Sequence, residues 1–299
     1  MARIVVAGGS GYVGRALVES LRADGHEVVV LTRSPGAPGA LGWNGRTVGD
    51  WAGSLEGALA VVNLSGHSSG GGRWTAKRKE QILSSRVEST SAIVDAIGGL
   101  GAGSRPGVFV CSSGIDYAGD RPDDAEIDED APPGDTFLAR VCVAWEQAAA
   151  RAREHGVRVV SARTAFVVGP KAPALRMMVL PFRFLAGGRV GSGQQWFPWV
   201  HLDDAVGIVR TAIGREAHEG PVNMVAPQSV RQEDVAKALG GVLRRPAAVP
   251  TPARVLRLAL GESADLLLTG RRAVPRKAEA AGYEFRFPEL EPALTDALG

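Results

Sequence analysis

The chain has 299 residues, 45% of them hydrophobic and 22% charged, enough to bury the core of one large or two modest domains. A formal net charge of +2 argues against nucleic acid or an anionic membrane as partner, and no apolar run reaches the roughly 18 residues that would span a bilayer. Two cysteines, Cys111 and Cys142, cannot form a disulfide framework, and no Cys/His cluster has zinc-ligand spacing, so the expected partner is a small molecule and no metal is expected.

The N-terminus enters a strand directly, with no signal-peptide pattern, which predicts a cytoplasmic protein. Arg3 to Ala7 is an apolar run bounded by glycine, the pattern of a buried parallel strand. It opens into Gly8-Gly9-Ser10-Gly11-Tyr12-Val13-Gly14, where Gly8, Gly11 and Gly14 recur every third residue. That spacing allows a tight strand-to-helix turn, close backbone approach to a pyrophosphate, and close packing of helix on strand. The helix that follows, Tyr12 to Ala23, would aim its N-terminal N–H groups and dipole at the phosphate. A second strand, Glu27 to Leu31, completes a βαβ unit and ends at Leu31-Thr32-Arg33-Ser34. An acidic residue there would bind the 2′-hydroxyl of NAD, whereas Arg33 suits the 2′-phosphate of NADP, so NADP(H) is the expected cofactor.

Residues 35–57 are rich in Gly and Pro and hold Trp43 and Trp51; a short strand within them is not placed by the pattern. Ala60 to Gly66 reads as a strand whose end, Asn63-Leu64-Ser65-Gly66, should border the cofactor. Leu83, Val87, Thr90, Val94 and Ile97 share one face of a helix predicted from Thr75 to Ile97, and Arg73 or Arg86 could grip an anionic substrate. The next strand, Gly107 to Cys111, runs into Ser112 and Ser113, with hydroxyls expected beside the cofactor's reactive ring, and then Tyr117. Asp123 to Asp130 reads as an acidic exposed loop, followed by a helix from Thr136 to Glu154 and a strand from Val157 to Ala162 that leads to Arg163-Thr164. After Gly169 the alternation breaks. Trp196 to Asp204 suggests a strand feeding an Asp-capped helix, Pro221 to Val225 another strand, and Ser229 to Gln232 a capping box before a helix through Leu243. Beyond Arg244 a small α-rich appendix is expected, with helices starting near Pro252 and Arg271.

The fold class is therefore α/β, a doubly wound parallel sheet of Rossmann type with a smaller C-terminal substrate-covering region. Residues 1–169, with 196–225 returning, should form the dinucleotide-binding domain, and 170–195 with 226–299 the smaller region. The glycine turn, Asn63-Leu64-Ser65-Gly66, Ser112-Ser113 with Tyr117 and Gly119, and Val200-His201-Leu202-Asp203-Asp204 together resemble the extended short-chain dehydrogenase/reductase superfamily. Arg73-Trp74-Thr75, Ser85-Arg86-Val87, Phe137-Leu138-Ala139 with Cys142 and Trp145-Glu146, and Gly191-Ser192-Gly193-Gln194-Gln195 are similar to its atypical epimerase-like branch, which carries its own small C-terminal domain.

The superfamily's chemistry normally uses a Tyr-x-x-x-Lys pair, which this chain lacks. With Glu146 as anchor, the pair's positions fall at Leu138 and Cys142, which cannot do that job. The resemblance implies cofactor binding by Gly8, Gly9, Ser10, Gly11, Tyr12, Val13, Gly14, Arg33, Asn63, Leu64, Ser65, Gly66, Ser112, Arg163 and Thr164. Ser113, with Ser112 as an alternative, would orient a substrate oxygen, and Tyr117 is the candidate proton donor. Two functions stay open: hydride transfer to or from a carbonyl or alcohol carbon of a small polar substrate, as reductase or epimerase, and a non-enzymatic NADP(H)-binding sensor or interaction protein. Reduction of an activated double bond or imine is a further possibility. The superfamily implies dimers built on the two long helices, but the oligomeric state stays open.

Overall fold

The computed structural model describes residues 1–36, 38–215 and 218–299. Seven parallel strands form the central sheet: β1 (Arg3–Ala7), β2 (Glu27–Thr32), β3 (Ala40–Gly42), β4 (Ala60–Asn63), β5 (Val108–Gly114), then β7 (Arg158–Thr164) and β11 (Gly220–Met224), in the order β11-β7-β5-β4-β1-β2-β3. Between β5 and β7 lies the two-residue β6 (Glu126–Ile127). Helix α1 (Tyr12–Ala23) links β1 to β2, α2 (Ala76–Gly98) links β4 to β5, and α3 (Phe137–Ala150) precedes β7.

Alternation along each strand explains the layers. Ile4 and Val6 pack with Leu17, Val18 and Leu21 of α1 and with Ile208 and Val209 of a later helix, α5 (Leu202–Gly214). Val5 and Ala7 face the other way, onto Ile93 and Ile97 of α2 and Trp145 of α3. All four strand side chains are sealed from solvent, and each buried aliphatic side chain contributes roughly 1.5–3 kcal/mol against the entropy of folding. Crossovers leave β1 toward one face and β4 toward the other. This makes a topological switch point between neighbouring strands, where such sheets bind ligands.

A third core lies outside the sheet. Between β8 (Phe166–Val168), α4 (Pro173–Arg183), β9 (Trp196–Phe197) and β10 (Trp199–His201) the chain forms short pairings of its own, and of the stretch 196–225 only β11 joins the main sheet. β12 (Val230–Arg231) pairs with β9, and α6 (Gln232–Leu243) packs on α4 and on the terminal helix. After α7 (Ala253–Leu260), α8 (Asp265–Leu268), β13 (Arg272–Ala273), α9 (Arg276–Ala280) and α10 (Leu290–Leu298) complete the chain.

Four expectations change here. The cap of α5 is His201, whose Nδ1 accepts from Asp203 N at 3.2 Å, because Asp204 is drawn inward to accept from Tyr283 Oη and from the backbone N–H groups of Arg286 and Phe287. The capping contact of α6 falls two residues later than the sequence spacing suggested, with Asp234 accepting from Arg231 N. Arg271 leads into a strand, not a helix, since Arg272–Ala273 pairs with β6. That pairing also buries part of the acidic loop: Glu129 is 3% exposed and accepts from Asn223 N and Lys277 N, stapling β11 to α9.

Candidate active site

At the carboxyl end of β1 the chain turns through Gly8, whose φ of +78° is the left-handed region that glycine adopts without cost. A Cβ on Gly8 would stand 2.7 Å from the Leu64 carbonyl carbon, and one on Gly14 would stand 2.2 Å from Gly8 O, so neither position tolerates a side chain. Gly9 is buried against Val30, while Ser10 and Gly11 are exposed. Helix α1 has Gly11 as N-cap with no side-chain cap bond and no acidic residue in its first turn, so its positive end is available to an anion. Arg33, just past β2, is exposed and makes no hydrogen bond or ion pair among the described residues. An open helix end plus a free guanidinium fits a pyrophosphate and a separate phosphate.

Tyr12 points away from that turn, its hydroxyl donating to Pro170 O at 3.0 Å, and burial beside Asp203 and Asp296 pushes its pKa up to about 12. Val13 lies half-buried within the same first turn. Asn63 is fully buried, which the sequence did not signal. Its Nδ2 donates to Thr90 Oγ1 at 3.0 Å and its Oδ1 accepts from Ser65 N at 3.1 Å and from the Ser65 hydroxyl. Asn63 thus sets the path of Leu64-Ser65-Gly66 and offers nothing of its own to a ligand.

A cavity of about 410 Å³ opens beyond the ends of β4, β5 and β7. Residues 64–69, 112–116, 164–166 and 195–198 line it, with α3 supplying Leu138, Val141, Cys142 and Trp145 and α2 supplying Arg86. The last wall, residues 265–267 and 269–271, comes from the C-terminal region. Arg73 donates to the carbonyls of Leu258 and Ala259 at the end of α7, and Lys79 pairs with Glu262, tying that region to the loop after β4 and to α2.

Ser112 and Ser113 lie within β5 rather than past it, because the strand runs on to Gly114. Ser113 is 3% exposed and donates to Glu146 Oε1 at 2.7 Å. Glu146 in turn takes both edge donors of Arg163, Nε at 2.9 Å and Nη2 at 3.0 Å, and Arg163 Nη1 donates to Glu129 O. Thr164 lines the cavity, but its hydroxyl donates to Ala162 O. Ser112 is left as the one hydroxyl of the three with no partner among the described residues.

Tyr117, expected as a proton donor, is absent from the cavity lining; the Arg163 guanidinium lies over its ring, 3.6 Å from the centroid. Tyr283, the third tyrosine, donates to Asp204 Oδ1. Cys142 does line the cavity, yet burial and the nearby Asp116 charge push its thiol up to about 12, so it is a neutral SH. Arg163 itself is buried behind the wall, outside the cavity lining, and holds Glu146.

Comparison with known proteins reads the same architecture. The NAD dependent epimerase/dehydratase family model matches residues 4–225, from the first strand to the end of the sheet. The chain belongs to the NAD-dependent epimerase/dehydratase family. A second model, a domain of unknown function known as DUF1731, matches residues 251–297, the stretch that closes this family member's cavity. The epimerase family protein SDR39U1 of Bos taurus is 39% identical over 99% of both chains, and the chloroplastic SDR39U1 homolog of Arabidopsis thaliana 38% over 97% of this chain and 85% of its own. The crystal structure of human SDR39U1 with NADPH superposes with a TM-score of 0.89 at 36% identity, covering 98% of each chain. UDP-N-acetylglucosamine 4-epimerase from Bacillus cereus shares the fold, with a TM-score of 0.78 at 17% identity over 99% and 95% of the two chains. Among the described residues no helix is long and apolar enough to cross a membrane, and no cluster of three metal-ligating side chains occurs.

Proposed function

We propose that this chain is an NADP(H)-dependent oxidoreductase of the epimerase family that moves hydride to or from a carbon of a small polar substrate. The observation that carries the reading is the pairing of an uncapped, glycine-lined helix start with Arg33, partnerless among the described residues, one strand away from the cavity. The relative crystallised with NADPH supports the same cofactor. Gly8 to Gly14 would hold the pyrophosphate, Arg33 the 2′-phosphate, and the backbone of Leu64 to Gly66 the stretch toward the cavity. When bound, the cofactor supplies or accepts hydride.

The protein's own contribution is binding and orientation. Ser112, with its hydroxyl proton uncommitted, donates to a substrate oxygen. Ser113 can only accept, because its proton is spent on Glu146. Leu138, Val141 and Trp145 exclude water from one side. Without a lining tyrosine, the proton that accompanies hydride comes through Ser112 or solvent. Two free, buried cysteines suit a reducing compartment, and we place the protein in the cytoplasm.

The test is calorimetric titration with NADPH and NADH. NADPH should bind tighter, and Arg33→Ala should weaken NADPH roughly tenfold while leaving NADH unchanged, as expected for loss of one exposed charge-assisted contact. Equal affinities for the two cofactors in both proteins would refute the assignment of Arg33.

A second reading is favoured by one observation: among the described residues no tyrosine or lysine lines the cavity. The chain would then be an NADP(H)-binding sensor or interaction protein. Turnover of any carbonyl, alcohol or imine in a broad panel, lost in Ser112→Ala, eliminates it.

A further inference from the structure

Four charged side chains line the cavity: Arg86, Asp116, Asp265 and Arg271. Three are answered. Asp116 accepts from Arg271 Nη1 at 2.8 Å, and Asp265 lies 3.0 Å from Arg257 Nη1. Arg86 has no carboxylate within ion-pair distance among the described residues. Its guanidinium lies 5.1 Å from the Trp145 ring centroid, and its Nη1 donates to His67 O at 2.8 Å and Ile82 O at 2.9 Å. A Cβ on Gly66 would come within 3.3 Å of its Cζ, so the loop after β4 packs directly on it. The ring contact and two carbonyl bonds hold the group and consume a single nitrogen.

What remains is the other edge. Nε–H and Nη2–H point side by side, have no hydrogen-bond partner, and are not sealed among the buried, unbonded atoms. Two parallel donors on a rigid plane match the two oxygens of a carboxylate or phosphate. This chain displays that match elsewhere: the same Nε/Nη2 edge of Arg163 holds both oxygens of Glu146. A cation withdrawn from water costs free energy unless a counter-ion joins it, and burial lowers the Arg86 pKa, with the Asp116 charge offsetting part of this.

We propose that Arg86 is the anchor of a substrate oxyanion, its Nε/Nη2 fork gripping a carboxylate or phosphate group, so that the substrate is an acidic small molecule. The inference rests on the reading of this cavity as the substrate site. Leu138, Val141, Trp145, Phe166 and Phe197 line the same cavity and supply apolar surface for the body of such a molecule, and Ser112 and Thr164 line it as well.

The experiment titrates the full chain, with and without NADPH, with benzoate, phenyl phosphate and neutral benzamide. At least one anion should bind, and benzamide should bind at least tenfold more weakly. Arg86→Gln should erase that preference, and Arg86→Lys, which keeps charge but not the fork, should lose about tenfold. In the wild-type protein, the Nε–H resonance that disappears in Arg86→Lys should move on adding the anion. This measurement decides the matter even if Arg86→Gln fails to fold. Whichever of benzoate and phenyl phosphate binds better identifies the oxyanion. Binding of benzamide as tight as either anion, no binding of any of the three, or a stationary Nε–H resonance overturns the proposal. Failure of NADPH to bind while benzoate still moves Nε–H would sink the cofactor reading alone; NADPH binding without anion preference sinks this one alone.

Discussion

Arg163 and Arg86 lie on two sides of one cavity wall and are treated oppositely. Arg163, behind the wall, has every donor group answered: Glu146 takes its edge, Glu129 O takes Nη1, and the Tyr117 ring covers its face. Arg86, in the wall, has one of its three nitrogens answered and, among the described residues, no counter-ion. A saturated cation is part of the scaffold, whereas a partly saturated one facing a cavity is a receptor. Residue type alone does not separate the two; the accounting of partners does.

The contrast is sharpest under mutation. Glu146→Ala leaves Arg163 buried without a counter-ion and also orphans the Ser113 hydroxyl, so it should cost about 3–5 kcal/mol in urea unfolding. Arg86→Gln strands no carboxylate, and its loss of two carbonyl bonds and a stacking contact should cost only about 1–2 kcal/mol in the same assay. Equal costs for the two would break the distinction. Ser113→Ala should lose about 1 kcal/mol and leave NADPH affinity unchanged, since its hydroxyl faces Glu146.

The narrowest effect, confined to alkaline pH, concerns the thiol near Arg86. Folding raises the Cys142 pKa from 9.0 to about 12. A raised pKa means stability that is intact below pH 9 and falls as pH climbs from 9 toward 12, where only the unfolded chain has released the proton. Cys142→Ala should therefore flatten the decline in unfolding free energy between pH 9 and 10.5, by up to about 1.4 kcal/mol per pH unit, as read by urea unfolding across that range. Cys111, raised likewise to about 12, would remain as the residual slope.

Much of the first half was legible in the sequence, since local signals define it. Tyr12–Ala23 follows the glycine turn and α2 follows from apolar spacing; the structure adds Thr75 and Thr136 as the caps of α2 and α3, accepting from Arg78 N and Ala139 N. β3 was hidden because three residues at a sheet edge carry too little pattern, and its neighbouring Trp43 and Trp51 meet edge to face at 5.3 Å only once folded. The burial of Glu129 and the strand at Arg272 share one cause. β6 and β13 pair across about 146 residues, and nothing local in either stretch announces it. The Ser113–Glu146–Arg163 network was invisible for the same reason: three elements bring it together, and although each residue was singled out in the sequence, nothing local signalled that they bond to one another.

One wall of the cavity belongs to residues 265–271, held in place by the Arg271–Asp116 pair and by Gly270, where a Cβ would overlap Trp196 O at 1.8 Å. The wall that this segment builds and the glycine turn after β1 are thus far apart in the chain. A chimera exchanging 251–299 between relatives should therefore keep one parent's cofactor preference and take part of its ligand selectivity from the other, which titration with cofactor and ligand would check.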